Sequence, residues 1–325
     1  MRRCSARAPG KVILSGEHWV VHGGRALAAA VGLYARATCT GWSGDRVVVE
    51  TPLGRAAVAS DGTVDGDAKA APLGHAIRAA LELGYRFMPS ICSVDSEIPV
   101  GAGLGSSAAT AVAVAAAYMA YAAGGPPERE SVNRAAFEAE KVTHGKPSGV
   151  DNTVSTYGGF ILYRRGSRPE PLNMPRLDAE VLIALSGVER RTAEAVGRFT
   201  RRLEELNNIG IGGSLASLAD KITSLMLEAI ARGDAATLGT LLRVSHGILN
   251  AMGVSHERLE EIVHIAERAG ALGAKLTGAG MGGAAIVLCR GDGCAAVLHS
   301  LQSRGYRVLQ TALGVDGVEI TCEQS

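Results

Sequence analysis

The sequence of 325 residues lacks several common signatures of function, and each absence excludes a class of protein. Its net charge is only +1, which argues against the strongly basic surface needed to bind nucleic acid or an anionic membrane. No CxxC pair and no HExxH stretch occurs, so neither a zinc site nor a redox motif is visible. We therefore predict no nucleic-acid partner, no membrane partner, and six cysteines that are reduced and packed in the interior.

Long apolar runs and targeting segments are missing as well. The opening stretch MRRCSARAPGKV is positively charged, but the apolar run of a signal peptide does not follow it, and we predict a cytoplasmic location. Residues 108–123 form the most apolar segment, which is rich in alanine and shorter than the roughly 20 strongly apolar residues that span a bilayer. We predict that this segment is a buried helix of a globular protein.

The length and the order of patterns predict two mixed domains. A chain of 325 residues is longer than one hydrophobic core usually supports. Apolar spacing predicts a strand over 91–97 and a helix over 107–123, and the later half again mixes helices with strands. The stretch RRGSRPEPLNMPR, residues 164–176, is rich in Pro and Arg and has no periodicity. We predict an α+β protein with domains at 1–170 and 171–325.

Glycines at alternate positions mark the stretch EIPVGAGLGSSAAT, residues 97–110. A glycine-rich turn between a strand and a helix offers free backbone N–H groups and the positive end of the helix dipole to a polyphosphate. It is not a Walker A loop, because GxxxxGK[ST] is absent and no lysine follows the glycines. Ser106 or Ser107 could cap the helix or bind magnesium, and the sequence leaves both interpretations open.

A second glycine cluster lies in KLTGAGMGGAAIVL, residues 275–288. It matches GxGxxG in form, but a dinucleotide-binding motif follows a strand and opens a helix, whereas this cluster precedes a predicted strand. Two interpretations remain: a turn with close backbone packing, or a second wall for a bound phosphate.

Two carboxylates and a lysine could carry the chemistry of a phosphoryl transfer. In EAEKVTHGKPSGVDNTVSTYGG, Glu140 lies near the end of a predicted helix and Asp151 follows a Gly/Pro turn. One carboxylate could hold a metal ion while the other orients or deprotonates a hydroxyl nucleophile. Lys11, placed by the turn in APGKVIL, could neutralise charge during the transfer. Each of these residues alone is more typical of an exposed surface.

In combination and in this order, the motifs resemble those of the GHMP kinase superfamily. PGKVILSGEH resembles its N-terminal motif, IPVGAGLGSSAA its ATP-binding loop, and KLTGAGMGGA its C-terminal glycine-rich motif. The longer stretch EKVTHGKPSGVDN, followed by STYGG, resembles the mevalonate kinases within the superfamily. The resemblance implies the two-domain GHMP kinase fold, with an N-terminal domain like domain 2 of ribosomal protein S5 and a ferredoxin-like α/β C-terminal domain.

The resemblance also implies a reaction. ATP and Mg²⁺ would be the cofactors, and the 5-hydroxyl of the small-molecule substrate mevalonate would be phosphorylated. Asp151 would act as the base for this hydroxyl, and Lys11 would lower the pKa of the hydroxyl or steady the charge. Ser107 and Glu140 would hold the magnesium ion. A homodimer is an assembly that the resemblance allows.

The remaining site residues follow from the same resemblance. The nucleotide would contact Ser96, Pro99, Val100, Gly101, Ala102, Gly103, Leu104, Gly105, Ser106, Ser107, Ala108, Gly278 and Gly280. Glu17 and His18 match positions near mevalonate. Many relatives have two consecutive prolines where this loop reads IPVG, and we expect little effect because Pro99 still biases Ile98 toward an extended conformation.

Two alternatives remain. The first is another small-molecule kinase of the superfamily, a homoserine or phosphomevalonate kinase, and Asp151 argues against the former because homoserine kinases resemble this pattern without an equivalent carboxylate. The second is a non-catalytic ATP-binding sensor of the same fold. A sensor would be expected to have lost catalytic positions, whereas all four proposed catalytic and magnesium-binding residues are present.

Overall fold

The structure is a computed structural model that describes residues 2–145, 147–175 and 177–324. In chain order its elements are β1 (Arg2–Ser15), a 3₁₀ turn (Trp19–His22), β2 (Arg25–Gly41), β3 (Val47–Thr51), β4 (Gly54–Val58), β5 (Val64–Gly66), α1 (Ala71–Glu82), β6 (Ser90–Ser96), α2 (Ser106–Ala123), α3 (Arg129–His144), α4 (Val150–Tyr157), β7 (Phe160–Arg164), β8 (Glu170–Leu172), β9 (Glu180–Leu185), α5 (Thr192–Asn208), α6 (Gly212–Ala231), α7 (Ala235–Ala251), α8 (Glu257–Arg268), β10 (Gly273–Thr277), β11 (Ala284–Cys289), α9 (Asp292–Ser303), β12 (Arg307–Thr311) and β13 (Glu319–Gln324).

A large sheet carries the first part of the chain. Its strand order is β13-β1-β2-β6-β3-β4-β5, with β7 beside β2 and β8 beside β7. Helices α1, α2 and α3 pack against one another, and α2 also packs on β1 and β2. Helix α2 is long and apolar enough to cross a membrane by length and composition, yet 72% of it is buried inside the protein. The prediction of a buried helix is confirmed, and its many alanines let neighbouring elements approach closely.

A smaller antiparallel sheet, in the order β10-β11-β9-β12, carries most of the later part. Helices α7 and α8 pack on β10, and α9 packs on β9 and β12. Strands β8 and β13 belong to the large sheet, so the chain returns to β1 after completing the small one. The division of the chain at residue 170 stays a prediction.

The cysteines correct one expectation: they are not reduced. Disulfides join Cys4 to Cys322, Cys39 to Cys92 and Cys289 to Cys294. The first two arise because four cysteines occupy directly opposed positions on the neighbouring strands β13, β1, β2 and β6. In an antiparallel ladder narrow and wide pairs alternate, and the Cα separations of 4.2 and 4.0 Å in the two bridged pairs are those of narrow pairs. Sequence spacing could not reveal this, because Cys4 and Cys322 are 318 residues apart.

Candidate active site

The glycine-rich loop runs from the end of β6 to the start of α2, as predicted. Gly101, Gly103 and Gly105 have φ angles of 78°, 83° and 75°, a left-handed conformation that favours glycine. These turns leave Val100 with 75% of its surface exposed at the tip of the loop. The loop therefore presents mainly backbone at the point where α2 begins.

The two serines after the loop do not cap α2. Gly105 is the N-cap, and within the described part of the chain no side-chain hydrogen bond caps the helix start. Ser106 and Ser107 are the first two helical residues, and Ser107 is exposed. The capping interpretation is therefore wrong. Uncapped N–H groups at a helix start favour an anion, and no acidic residue in the first turn opposes one.

Strand β1 holds this loop by backbone contacts. The N–H of Lys11 donates to the carbonyl oxygen of Leu104 at 2.8 Å. A Cβ atom at Gly105 would lie 2.9 Å from Cγ of Lys11, and one at Gly10 would lie 2.8 Å from the Leu104 oxygen. Only glycine permits this approach at both positions, so the loop and Lys11 form one unit.

Lys11 and Asp151 are in contact. The Lys11 Nζ atom lies 3.2 Å from Asp151 Oδ1, and the two side chains are 7% and 36% exposed. Asp151 stands in the first turn of α4, which begins after Gly149 in a left-handed conformation. The structure thus brings a nearly buried cation and a more accessible carboxylate together, and the roles that the resemblance implies for them at the reacting hydroxyl stay predictions.

Glu140, on α3, is a buried carboxylate close to this pair. Burial raises its pKa to about 8, the negative charge of Asp151 adds to the rise, and the ammonium of Lys11 opposes it. Within the described part of the chain Glu140 has no hydrogen-bonding or ion-pair partner. A buried carboxylate without a partner is costly unless a proton or a cation neutralises it.

The buried carboxylate of Glu140 fits a magnesium ion that is bound together with nucleotide phosphates. The described residues contain no cluster of three or more His, Cys, Asp or Glu side chains that could hold a metal by themselves. Magnesium, however, commonly takes only one or two protein ligands and completes its shell with phosphates and water. The buried carboxylate of Glu140 and the exposed hydroxyl of Ser107 offer ligands of this kind.

The second glycine cluster forms the turn between β10 and β11 and faces the first one. A Cβ atom at Gly283 would lie 3.2 Å from the carbonyl oxygen of Ala102, and one at Gly278 would lie 3.9 Å from that of Gly103. The close packing that the sequence left as one interpretation is therefore present. The role of this turn as a wall for a bound phosphate stays a prediction.

Arg190 is a candidate site residue that the sequence did not indicate. Its Nη1 atom lies beside both glycine clusters, 2.5 Å from the Cβ position of Gly103 and 3.0 Å from that of Gly278. Its neighbour Arg191 is exposed instead and pairs with Glu194 at 3.5 Å. Adjacent arginines in a loop look alike in sequence. Only the fold shows which of the two arginines points between the two glycine clusters.

Glu17 and His18 lie where the two sheets meet. The Glu17 carboxylate accepts from the ammonium of Lys275, and their side chains are 1% and 0% exposed. Burial raises the pKa of Glu17 and lowers that of Lys275, while each partner's charge opposes the shift. His18 stacks on Phe199, and its Nε2 lies 2.8 Å from the carbonyl oxygen of Ala279. The substrate contacts expected of these residues stay predictions.

Ser96 lies at the end of β6, where its exposed hydroxyl accepts from the N–H of Ile98 at 3.2 Å. The two remaining loop positions, Pro99 and Ala108, are half-buried and buried, respectively. The predicted nucleotide-contacting residues of the first half of the chain therefore form one continuous strand end, loop and helix start.

Comparison with known proteins agrees with this geometry. The model of the GHMP kinases N terminal domain matches residues 73–159, and that of the GHMP kinases C terminal matches residues 226–307. A mevalonate kinase of Aeropyrum pernix is 37% identical over 98% of this chain and 99% of its own length. The crystal structure of L. major mevalonate kinase in complex with R-mevalonate is 28% identical, with a TM-score of 0.78 over 96% of each chain. The Methanococcus jannaschii mevalonate kinase shares the fold, with a TM-score of 0.80 at 23% identity over 95% of this chain and 98% of its own.

These matches establish the family and the fold of the chain. The chain belongs to the GHMP kinases and, within them, to the mevalonate kinase family. It is therefore a kinase, and the predicted family and fold are confirmed.

Proposed function

We propose that the protein transfers the γ-phosphoryl group of ATP to the 5-hydroxyl of (R)-mevalonate. The contact between Lys11 and Asp151, beside an uncapped helix start, is the observation that carries the proposal. It supplies what a hydroxyl nucleophile needs next to a triphosphate: a carboxylate to accept or orient its proton and a fixed cation to balance charge. The relative from L. major was solved with R-mevalonate, which supports this substrate.

The nucleotide phosphates would lie on the loop and on the first turn of α2. Backbone N–H groups at a helix start bind phosphate oxygens and need no side-chain charge. Arg190 supplies a cation from the opposite side, between the loop and the β10–β11 turn. Magnesium would be held by Ser107 and Glu140 and would neutralise charge on the phosphates when bound.

Lys11 and Asp151 have different roles at the substrate hydroxyl. Asp151, more than a third exposed, is accessible to a substrate, and its carboxylate can take the proton or align the oxygen for attack. Lys11 is almost buried, and its backbone is bonded to the loop, so its charge is fixed relative to the phosphates. Holding both groups in place accounts for most of the catalysis expected in phosphoryl transfer.

A coupled assay of ADP formation tests the substrate. Mevalonate, phosphomevalonate, homoserine and galactose are supplied in turn at equal concentration, with ATP and Mg²⁺. We expect turnover with mevalonate and little with the other three. If mevalonate is not phosphorylated, the proposal is wrong, and phosphorylation of homoserine or phosphomevalonate instead would identify the alternative kinase.

Replacing Asp151 tests the catalytic pair. We expect Asp151→Asn to lower turnover about 10²- to 10⁴-fold while ATP still binds, because the amide keeps the shape but cannot accept the proton. Asp292→Asn is the matched control, since Asp292 also stands in the first turn of a helix, α9, which packs on the small sheet. Isothermal titration with ATP and steady-state kinetics separate binding from turnover. Nearly unchanged turnover in Asp151→Asn would show that Asp151 is not the base.

A further inference from the structure

Three residues at alternate positions of β10 and the turn after it hold the start of the chain. The residues of this junction cluster are Lys275, Thr277 and Ala279 on one side and Ile13, Glu17 and His18 on the other. Alternate residues of a strand point to the same face, so Lys275 and Thr277 reach β1 together. The cluster therefore joins the small sheet to the strand that carries Lys11.

Lys275 uses its whole donor capacity inside the protein. Its ammonium has three acceptors: the Glu17 carboxylate, the carbonyl oxygen of Leu276 at 2.7 Å and that of Ile13 at 3.4 Å. An ammonium group has three N–H donors, and the side chain is 0% exposed, so the position of the group is fixed by these partners.

The hydroxyl of Thr277 bonds both backbone groups of Ile13. It accepts from the N–H of Ile13 at 2.9 Å and lies 3.2 Å from the carbonyl oxygen of the same residue. The register of β1 against β2 shifts between Ile13 and Ser15, so normal sheet pairing is interrupted just after this point. The hydrogen bonds from Thr277 on β10 therefore support β1 next to the point where its pairing with β2 is irregular.

Backbone strain is concentrated at the same place. Among the described residues, only His18 and Met281 are non-glycine residues with positive φ, at 61° and 55°. Such conformations cost free energy and persist only where the surroundings enforce them. His18 follows Glu17 directly, and Met281 lies in the turn that Lys275 and Thr277 lead into, so the first residue belongs to the junction cluster and the second lies beside it.

Stability alone does not account for the buried ion pair. Replacing such a pair by apolar residues of similar volume is often neutral or stabilising, because both charges lose their hydration on burial. Moreover, the second carboxylate oxygen of Glu17, Oε2, is buried without a hydrogen-bonding partner among the described residues. What the pair provides is a defined position for the backbone of residues 13–18.

That position matters for Lys11, which lies two residues before Ile13 on the same face of β1. We propose that Lys275 is a positioning residue for phosphoryl transfer, which holds β1 against the β10–β11 hairpin and so keeps the ammonium of Lys11 at Asp151. This inference rests on the proposed function and adds the residue that aligns its catalytic pair.

The test compares Lys275→Met with the double variant Glu17→Leu/Lys275→Met. The single variant leaves Glu17 buried without its partner, so it should lose both stability and turnover. The double variant removes both charges, and its melting temperature should recover toward that of the wild type. Its kcat should nevertheless stay at least about 10-fold low, with the KM for ATP changed less than about two-fold, because the strand has lost its anchor.

Two further variants complete the comparison. Thr277→Val keeps the ion pair and nearly the same side-chain volume but removes both bonds to Ile13. It should therefore lower kcat about 3- to 10-fold. This variant tests the inference separately if the Lys275 variants fail to fold. Arg243→Gln is the control: in the described part of the chain the hydrogen bonds and the ion pair of Arg243 go to residues 271–272 just before β10 and to Glu267 on α8, so turnover should be unchanged.

Hydrogen exchange of residues 10–18 provides a readout that does not depend on the substrate. We expect faster exchange there in the double variant and in Thr277→Val than in the wild type. A double variant with wild-type kcat would overturn the inference, and faster exchange in that variant would leave Lys275 a purely structural role. If the wild type does not phosphorylate mevalonate, the proposed function fails, whereas the exchange result still decides whether Lys275 orders the strand.

Discussion

Glu17 and Glu140 are both buried glutamates close enough to Lys11 to feel its charge, yet their surroundings differ. Glu17 has a lysine of its own, and the pair is neutral as a unit wherever the shared proton resides. Glu140 has no such partner in the described part of the chain, and its pKa rises to about 8. The charge of the first carboxylate is balanced by Lys275 within the protein, whereas the second carboxylate needs a proton or a bound cation.

This difference in charge balance distinguishes a carboxylate with a structural role from one that is a candidate ligand. Burial alone does not distinguish the two, since each side chain is almost inaccessible. The distinction lies in whether the fold provides the opposite charge. Lys11, the cation that acts on Glu140, is itself paired with Asp151. Under the proposed function, Glu140 would therefore hold a cation that binds together with the nucleotide.

The largest effect is expected from making Glu140 neutral. Glu140→Gln should lower kcat about 10²- to 10³-fold at saturating Mg²⁺, because a ligand of the ion that balances phosphate charge is lost. Turnover measured over a series of Mg²⁺ concentrations gives both kcat and the apparent metal affinity. Glu138→Gln, on an exposed part of the same helix, serves as the control. If Glu140→Gln turned over like that control, Glu140 would belong with Glu17 as architecture.

A smaller effect, on stability alone, is expected from the disulfide between β1 and β13. Replacing Cys4 and Cys322 by serine should cost about 2–4 kcal/mol of unfolding free energy, because the bridge restricts the unfolded chain. Thermal melting with and without a reductant measures the loss, and the variant should no longer respond to the reductant at this bridge. Its kcat should equal that of the wild type below the melting range. A large fall in kcat would mean that the bridge also affects the active site, so that structural and catalytic residues could not be separated as clearly.

The smallest effect concerns pH. The folded protein binds the Glu140 proton more tightly than the unfolded chain does, so stability without metal should fall as pH rises from about 4.5 to about 8. Glu140→Gln should remove this fall and be more stable than the wild type by about 1–3 kcal/mol above pH 8 and nearly equal to it at low pH. Urea denaturation across this range measures the difference. An equal difference at every pH would show that burial of Glu140 is not the cause.

Much of the fold and site could be predicted because the signals are local. The strand, loop and helix around Gly101, Gly103 and Gly105 follow from apolar spacing and glycine placement, and their conformations confirm the expectation. The sequence also named the two members of the Lys11 and Asp151 contact, but their proximity required a family resemblance because 140 positions separate them.

What escaped prediction depends on register or on which side of a loop a residue faces. The opposed cysteines become neighbours only once four strands align. Arg190 and Arg191 are equivalent in sequence, and only the path of the chain after β9 selects the first. In the sequence, Lys275 is only a lysine that precedes a glycine-rich turn. Its side chain is buried because the small sheet packs against β1 at this point, which the sequence does not show.

The hydrogen bond from the N–H of Lys11 to the oxygen of Leu104 also has a consequence for the timing of the catalytic cycle. If this bond stays intact when the loop moves outward, the movement of Leu104 pulls on the backbone of Lys11. In the proposed reaction, exchange of spent nucleotide for fresh nucleotide would then be linked to the position of the lysine. A molecule whose loop is displaced would, during that interval, also have its lysine displaced from Asp151.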